Sequence, residues 1–279
     1  MEISLAGQQS KSKRHERTSP RRPWRWQRLI PPLTLILFLA GWEMIVRIGD
    51  YPAFILPSPL DVGRKLISVS LDGTLWRHTG VTLIEVLAGL SLGAVVATIF
   101  GYALSKSAVI DRSLSPYLVA SQAIPVVAIA PLLVIWFGPG LFSKILISAL
   151  IVFFPILINT SAGVRGVSPD LRDLMRSLHA TRWQTFAKLE VPAAAPVLLA
   201  GLKVGATLSV IGAVVGEFAG ARAGLGVMIN IADGQYDTAR MFVGVLALVV
   251  MALTLYGIVN WLEKHLLAWR APENGGARS

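Results

Sequence analysis

Lys203 and Glu217 stand within one apolar run, Ala194 to Glu217. Ionisable side chains are costly in lipid, so they usually mark a solute pathway or gate, or reach for the interface along their stems. As helix, the fourteen residue steps between them turn through about 1400° and rise about 21 Å, leaving the two charges within about 40° of one face. A direct ion pair between them is excluded. A pathway role and snorkelling both stay open, with Lys203 directed to the cytoplasmic side and Glu217 to the outer interface.

The other residues able to do chemistry are scattered. His15, His78, His179 and His265 fall on separate segments and give no metal-ligand cluster. No Ser/His/Asp set or pair of acids with a shared site is legible, so no catalytic residue, metal or cofactor is expected. The stretch Gly138-Pro139-Gly140-Leu141-Phe142-Ser143-Lys144 lacks the spacing of a phosphate-binding loop. There is no cysteine, which excludes a disulfide scaffold and any thiolate-ligated centre.

Composition gives the class. The 279 residues are 54% apolar and 15% charged, with a mean hydropathy of +0.62. Soluble domains carry about a quarter charged residues. A bilayer core of about 30 Å takes about 20 apolar residues as helix, because lipid offers the backbone no partner. Six spans satisfy this: Leu29 to Ile48, Thr82 to Leu104, Pro116 to Phe137, Lys144 to Val164, Ala194 to Glu217 and Ala239 to Leu262. The sequence predicts an all-α, multi-pass membrane protein. Residues 1–28 form a basic tail, 29–270 the six-span domain and 271–279 a second tail. The length of the first apolar run argues against a cleavable signal peptide.

Charge sets the orientation. Net charge is +10, and eighteen of the 26 Lys and Arg lie in segments 1–28, 105–115, 165–193 and 263–279. By the positive-inside tendency these are cytoplasmic, together with both termini. The basic tail is read as a solvated positive-inside segment, and no nucleic-acid partner is expected. Trp24, Trp26, Trp136, Trp261 and Trp269 fall at span ends, and Glu43 and Glu85 are placed at the outer interface. A short helix is expected over Leu60 to Trp76. Segment 218–238 reads as a loop or a short re-entrant element.

Small residues recur every four positions at Gly89, Gly93, Ala97 and Gly101, and again at Gly201, Gly205 and Ser209. Such stripes allow close helix approach, either between two copies or within one bundle. Pro125 and Pro131 remove two backbone donors from span three and should kink it beside Gln122. The kink either lines a pathway or only bends the helix.

Segment 165–193 is too elaborate for a plain connection. Ser168 before Pro169 fits a helix start, with Asp170 and Asp173 in the first turn. Leu171, Leu174, Met175 and Leu178 share a face. Thr181 caps a second short helix that ends before Pro192. This amphipathic pair suits docking of a cytoplasmic partner or folding back on its own spans.

This segment resembles the signature loop of the permeases of ATP-binding-cassette importers. Asp173-Leu174-Met175 stands for its Glu-Ala-Ala, His179 for its turn Gly, and Leu189-Glu190-Val191-Pro192 for its closing stretch. Ala180-Thr181-Arg182-Trp183-Gln184-Thr185-Phe186 is close to the common pattern between them. The resemblance extends from about Trp42 to Arg270. Leu56-Pro57-Ser58-Pro59, Gln122-Ala123-Ile124-Pro125, Ala130-Pro131-Leu132, Ile135-Trp136-Phe137-Gly138 and Ile211 through Phe218 resemble the nitrate, sulfonate, taurine, pyrimidine and riboflavin group. With Asp237-Thr238 and Met241-Phe242 they lean toward riboflavin or a thiamine-pyrimidine precursor.

The resemblance implies a non-enzymatic permease subunit of the inner (cytoplasmic) membrane. Two copies, or two related chains, would form the pathway, two ATP-binding subunits would dock from the cytoplasm, and an extracytoplasmic binding protein would deliver substrate. It implies coupling to the ATPase through Asp173, Arg176, Leu178, His179, Ala180, Thr181, Arg182, Trp183, Phe186 and Pro192. The pathway candidates are Gln122, Pro125, Lys203 and Glu217. A stand-alone secondary transporter would instead need mid-membrane coupling-ion residues and no docking loop, and only Lys203 speaks for it.

Overall fold

The structure is a computed structural model, and it describes residues 30–107, 109, 113, 116–118, 120–121 and 123–268. All regular structure among them is helical. Residues up to Asp50 and those from Tyr51 onward form separate units. The first contributes α1, Ile30–Gly49, an apolar helix in which Arg47 Nε bonds Glu43 Oε1 at 2.6 Å one turn away.

The second unit opens with α2, Pro59–Leu71. Ser58 caps it by accepting from the Asp61 N–H at 3.1 Å, with proline at the first helical position. The expected helix over Leu60 to Trp76 is two helices. Gly73, at φ +78°, breaks the chain, and Trp76 belongs to α3, Thr74–Ser105. Span two therefore starts eight residues before its apolar run.

Span three departs most from expectation. Pro125 does not kink a continuous helix over Pro116 to Phe137; it caps a separate one, α4, Val126–Phe137. A proline disfavours helical backbone in the residue before it and supplies no donor, so the helix restarts there. At 12 residues α4 is about 18 Å long, too short to cross a bilayer core as helix. Gln122 lies outside the described residues.

Then follow α5, Leu141–Arg165; α6, Pro169–Ser177; and α7, Arg182–Thr185. The helix begun at α7 does not end before Pro192. It widens into a π-turn over Phe186–Glu190 and continues as α8, Val191–Phe218. The Val191 N–H bonds the Phe186 carbonyl, five residues back, and this wider turn accommodates a proline at the next position. The chain closes with α9, Leu225–Gly234, and α10, Thr238–Leu266. Segment 218–238 is thus a short buried helix, with Leu225, Met228 and Ala232 fully enclosed.

Among the described residues, five helices are long and apolar enough to cross a membrane: 32–49, 74–105, 141–165, 182–218 and 238–266. At the centre of the second unit α5 packs against α3 and α8. In lipid, burying Leu against Leu gains little, so close approach and hydrogen bonds carry the packing. The small-residue stripes supply that approach within this chain. A Cβ at Gly93 would lie 2.7 Å from the Ala149 carbonyl oxygen, and one at Gly101 2.7 Å from that of Leu157. On α8, Gly201 faces Asn159 and Gly205 faces Ile156 and Val152. Ser148 Oγ donates to the Ser209 carbonyl at 3.0 Å. The stripes fit α3 and α8 onto α5, which decides for packing within one bundle.

Candidate functional site

The segment between α5 and α8 is built by local rules. Ser168 sits at the start of α6 but makes no capping bond; Pro169 and Asp170 occupy the first turn. Leu171, Leu174 and Leu178 are all exposed, Leu178 by 67%. Arg176 Nη1 bonds Asp173 Oδ1 at 3.0 Å on the same surface. The other side of α6 faces the bundle, where Arg172 Nη2 donates to the Val164 carbonyl at 2.7 Å.

The turn out of α6 is made by His179 at φ +50°. That is the left-handed region glycine enters freely, and His reaches it at a cost. Ala180 N–H closes the turn on the Met175 carbonyl at 2.9 Å. Thr181 then forms a full capping box: its hydroxyl accepts from the Gln184 N–H at 3.2 Å, and its own N–H donates to Gln184 Oε1 at 2.8 Å. Trp183 is 71% exposed, while Phe186, 5.3 Å from it ring to ring, is half-buried. Phe186 stacks edge-on against Tyr102 at 5.1 Å. Pro192 lies one residue past the π-turn, in the first turn of α8.

Three polar residues missed in the sequence tie this loop to the spans. Lys106 Nζ meets Glu190 Oε1 at 2.5 Å, and Tyr102 Oη donates to Glu190 Oε2 at 3.0 Å. Burial works against the Lys106 ammonium, but its bonds to Glu190 and Tyr102 outweigh this and hold its pKa above 10.5. The ends of α3, α5 and α10 all gather here. Arg165 Nη2 contacts the Leu104 carbonyl, and Leu266 and Leu267 line one cavity with Tyr102 and Val164. These are chain positions that the distribution of Lys and Arg assigns to one membrane face.

A second polar group lies at the far end of the bundle. Glu85, placed at the outer interface in the sequence, is fully buried in the bundle, and Lys144, the first residue of the fourth expected span, pairs with it at 3.0 Å. Glu217 is also buried, and it accepts from Thr82 Oγ1 at 2.5 Å and from the Gly226 N–H. Thr82 in turn accepts from the Leu225 N–H at 2.8 Å, and His78 Nδ1 lies 2.7 Å from the Gly224 carbonyl oxygen. Glu217 thereby holds the start of α9, whose first N–H groups favour an anion. A Cβ on Gly224 or Gly226 would run into that carboxylate, and Gly224 also sits at φ +131°. No sequence spacing announces this set, since its members come from three distant segments.

Lys203 points away from Glu217. It pairs with Glu263 near the end of α10 and lies 5.9 Å from the Tyr256 ring centre. Pro125 stands at the start of α4. The pathway candidates Lys203 and Glu217 are therefore not brought together. Among the described residues no group of His, Asp or Glu is arranged to hold a metal.

Comparison with known proteins accounts for this architecture. The chain is 45% identical to the riboflavin transport system permease protein RibX of Chloroflexus aurantiacus, over 91% of this chain and 97% of that one. It is 34% identical to the formylaminopyrimidine transport permease protein ThiX of Halalkalibacterium halodurans, covering 88% and 97%. Its fold matches an inward-facing structure of the MetNI methionine ABC transporter with a TM-score of 0.63, at 18% identity over 71% of this chain and 98% of that one. Residues 89–268 match the family described as the binding-protein-dependent transport system inner membrane component. Those residues contain the α6–α7 loop, the Glu190 contacts and Glu217 with α9, and the chain belongs to that family, as a permease subunit of an ATP-binding-cassette importer.

Proposed function

We propose that the chain works as a homodimer that forms the passage for riboflavin or a thiamine-pyrimidine precursor across the inner membrane, both termini being cytoplasmic. Two ATP-binding subunits dock on residues 166–190 from the cytoplasm, and an extracytoplasmic binding protein supplies the solute. The observation that carries the docking role is the row of exposed apolar side chains on the loop, Leu171, Leu174, Leu178 and Trp183, in a segment whose other side is bonded to the spans. An apolar face left open beyond the membrane needs a partner. Asp173, Arg176 and Arg182 flank it for polar contacts, and His179, Ala180 and Thr181 fix the angle between α6 and α7. Phe186 and Pro192 pass displacement of the loop into α8.

The similarity to RibX supports the vitamin substrate. The translocation pathway is proposed to run past α4 at Pro125, while the charges of Lys203 and Glu217 are matched by Glu263 and by the donors around α9. Deleting the gene in cells that cannot make the vitamin tests the substrate. Loss of riboflavin or pyrimidine-precursor uptake supports this reading, whereas intact vitamin uptake with lost nitrate, sulfonate or taurine uptake would transfer the assignment to those solutes.

A further inference from the structure

Two adjoining cavities occupy the inward side of the α6–α7 loop and share Tyr102 and Glu190. One, of about 620 Å³, is almost wholly apolar, with Ile99, Val164, Phe186, Leu198 and Leu266 in its wall. The other, of about 740 Å³, is polar and carries Lys106, Arg172, Arg176 and Arg182 against the single acid Glu190. An apolar slot at the end of membrane helices, opening into a cationic one, matches a molecule with an acyl chain and a negatively charged head.

The cations are only partly satisfied by the protein. Lys106 neutralises Glu190. Arg172 uses Nη2 on the Val164 carbonyl, but its Nε is buried without a hydrogen-bond partner. A buried donor of this kind costs free energy until something accepts from it. Arg182 has no side-chain partner among the described residues. A phosphate would accept from both guanidinium groups, and basic pockets between membrane helices commonly hold such head groups.

We propose that this paired cavity binds one anionic glycerophospholipid, its phosphate on Arg172 and Arg182 and an acyl chain in the slot beside Phe186. The site adjoins the docking face: Arg176 and Arg182 border both, whereas the apolar side chains of that face, Leu174, Leu178 and Trp183, belong to neither cavity. The lipid would wedge between the loop and the ends of α3 and α10, and would set how firmly the loop is held for its partner.

The test is native mass spectrometry of the full importer released from nanodiscs that contain phosphatidylglycerol and phosphatidylcholine of identical chains. Retention of phosphatidylglycerol over phosphatidylcholine by about tenfold or more is expected, the scale of two lost cation contacts in the double variant Arg172→Gln, Arg182→Gln. That variant should retain both lipids equally. Leu198→Trp, which fills the slot and leaves every cation in place, should lower retention of both. Equal retention of the two lipids by the unaltered complex would overturn the proposal without any variant. So would a double variant that keeps phosphatidylglycerol but releases its ATPase, because the arginines would then serve an acidic protein surface.

Discussion

Lys144 Nζ and Glu85 Oε1 stand 3.0 Å apart inside the bundle, with side chains 7% and 0% exposed. The pair joins α5 to α3 next to the Glu217 set, where each charge depends on the other. Removing one member of such a pair leaves an uncompensated buried charge, at a cost of about 3–5 kcal/mol, while removing both is often far milder. Lys144→Met should therefore lower thermal stability in detergent sharply, and Lys144→Met with Glu85→Gln should recover a large part of the loss. A double variant as unstable as the sum of the singles would show that the two side chains do not interact.

Close approach at the small-residue stripe makes a second prediction. Gly93→Leu puts a side chain where the Ala149 carbonyl already lies, whereas Gly257→Ala on α10 meets nothing within 4 Å. The first should destabilise by several kcal/mol or abolish folding, and the second should stabilise by about 0.5–1 kcal/mol through helix propensity. Thermal unfolding of the purified permease reads both. Equal midpoints would mean that α3 and α5 do not touch at Gly93.

His179 holds a backbone that glycine adopts more easily. His179→Gly should leave the loop's geometry intact and relieve strain, while His179→Val should cost about 1–2 kcal/mol and misdirect α7. Co-purification of the ATP-binding subunit should be retained by the glycine variant and lost by the valine one. Unaltered binding in His179→Val would show that the angle of this turn does not matter to the partner.

Leu178→Asp tests the docking face itself. The side chain is 67% exposed in the free chain, so membrane abundance should not change. Burying an unmatched carboxylate in the contact should cost several kcal/mol, and ATPase affinity should drop by about two decades. Normal abundance with an undiminished ATPase complex and normal transport would exclude the coupling role.

Orientation can be read with cysteines, because the chain has none of its own. Ser68→Cys on α2 should react with an impermeant thiol reagent in intact cells, and Thr181→Cys on the capping box should not. Both positions are exposed, so labelling reports the side of the membrane. Reaction at Thr181→Cys from outside would invert the topology.

How far the sequence reached differs from one element to the next, for physical reasons. The long helices α3, α5, α8 and α10 were legible because hydropathy is a local sum and lipid enforces helix length. The capping box at Thr181 was legible because its partner is three residues away. Span three was misjudged because hydropathy does not register that Pro125 separates two segments. Glu85 is placed at an interface because it lies near the end of an apolar run, and Lys144 only marks the start of the next one. Their pairing depends on the register between α3 and α5, which Gly89 and Gly93 set and no single helix reveals. The same holds for Glu190, whose partners Tyr102 and Lys106 lie far back in the chain.

The unbroken helical path from Arg182 to Phe218 has a mechanical consequence. Its 37 residues make a rod of about 55 Å, with the π-turn near one end and Glu217 at the other. Turned about the glycine contact near its middle, a tilt of about 5° carries the tip at Phe218 through about 2 Å. The rod is a lever whose fulcrum is the close glycine contact with α5, and the load on its far arm is α9, hung from the Glu217 carboxylate. A small displacement of the α6–α7 loop would thus reach the far end of α8 and the start of α9 along one continuous helix.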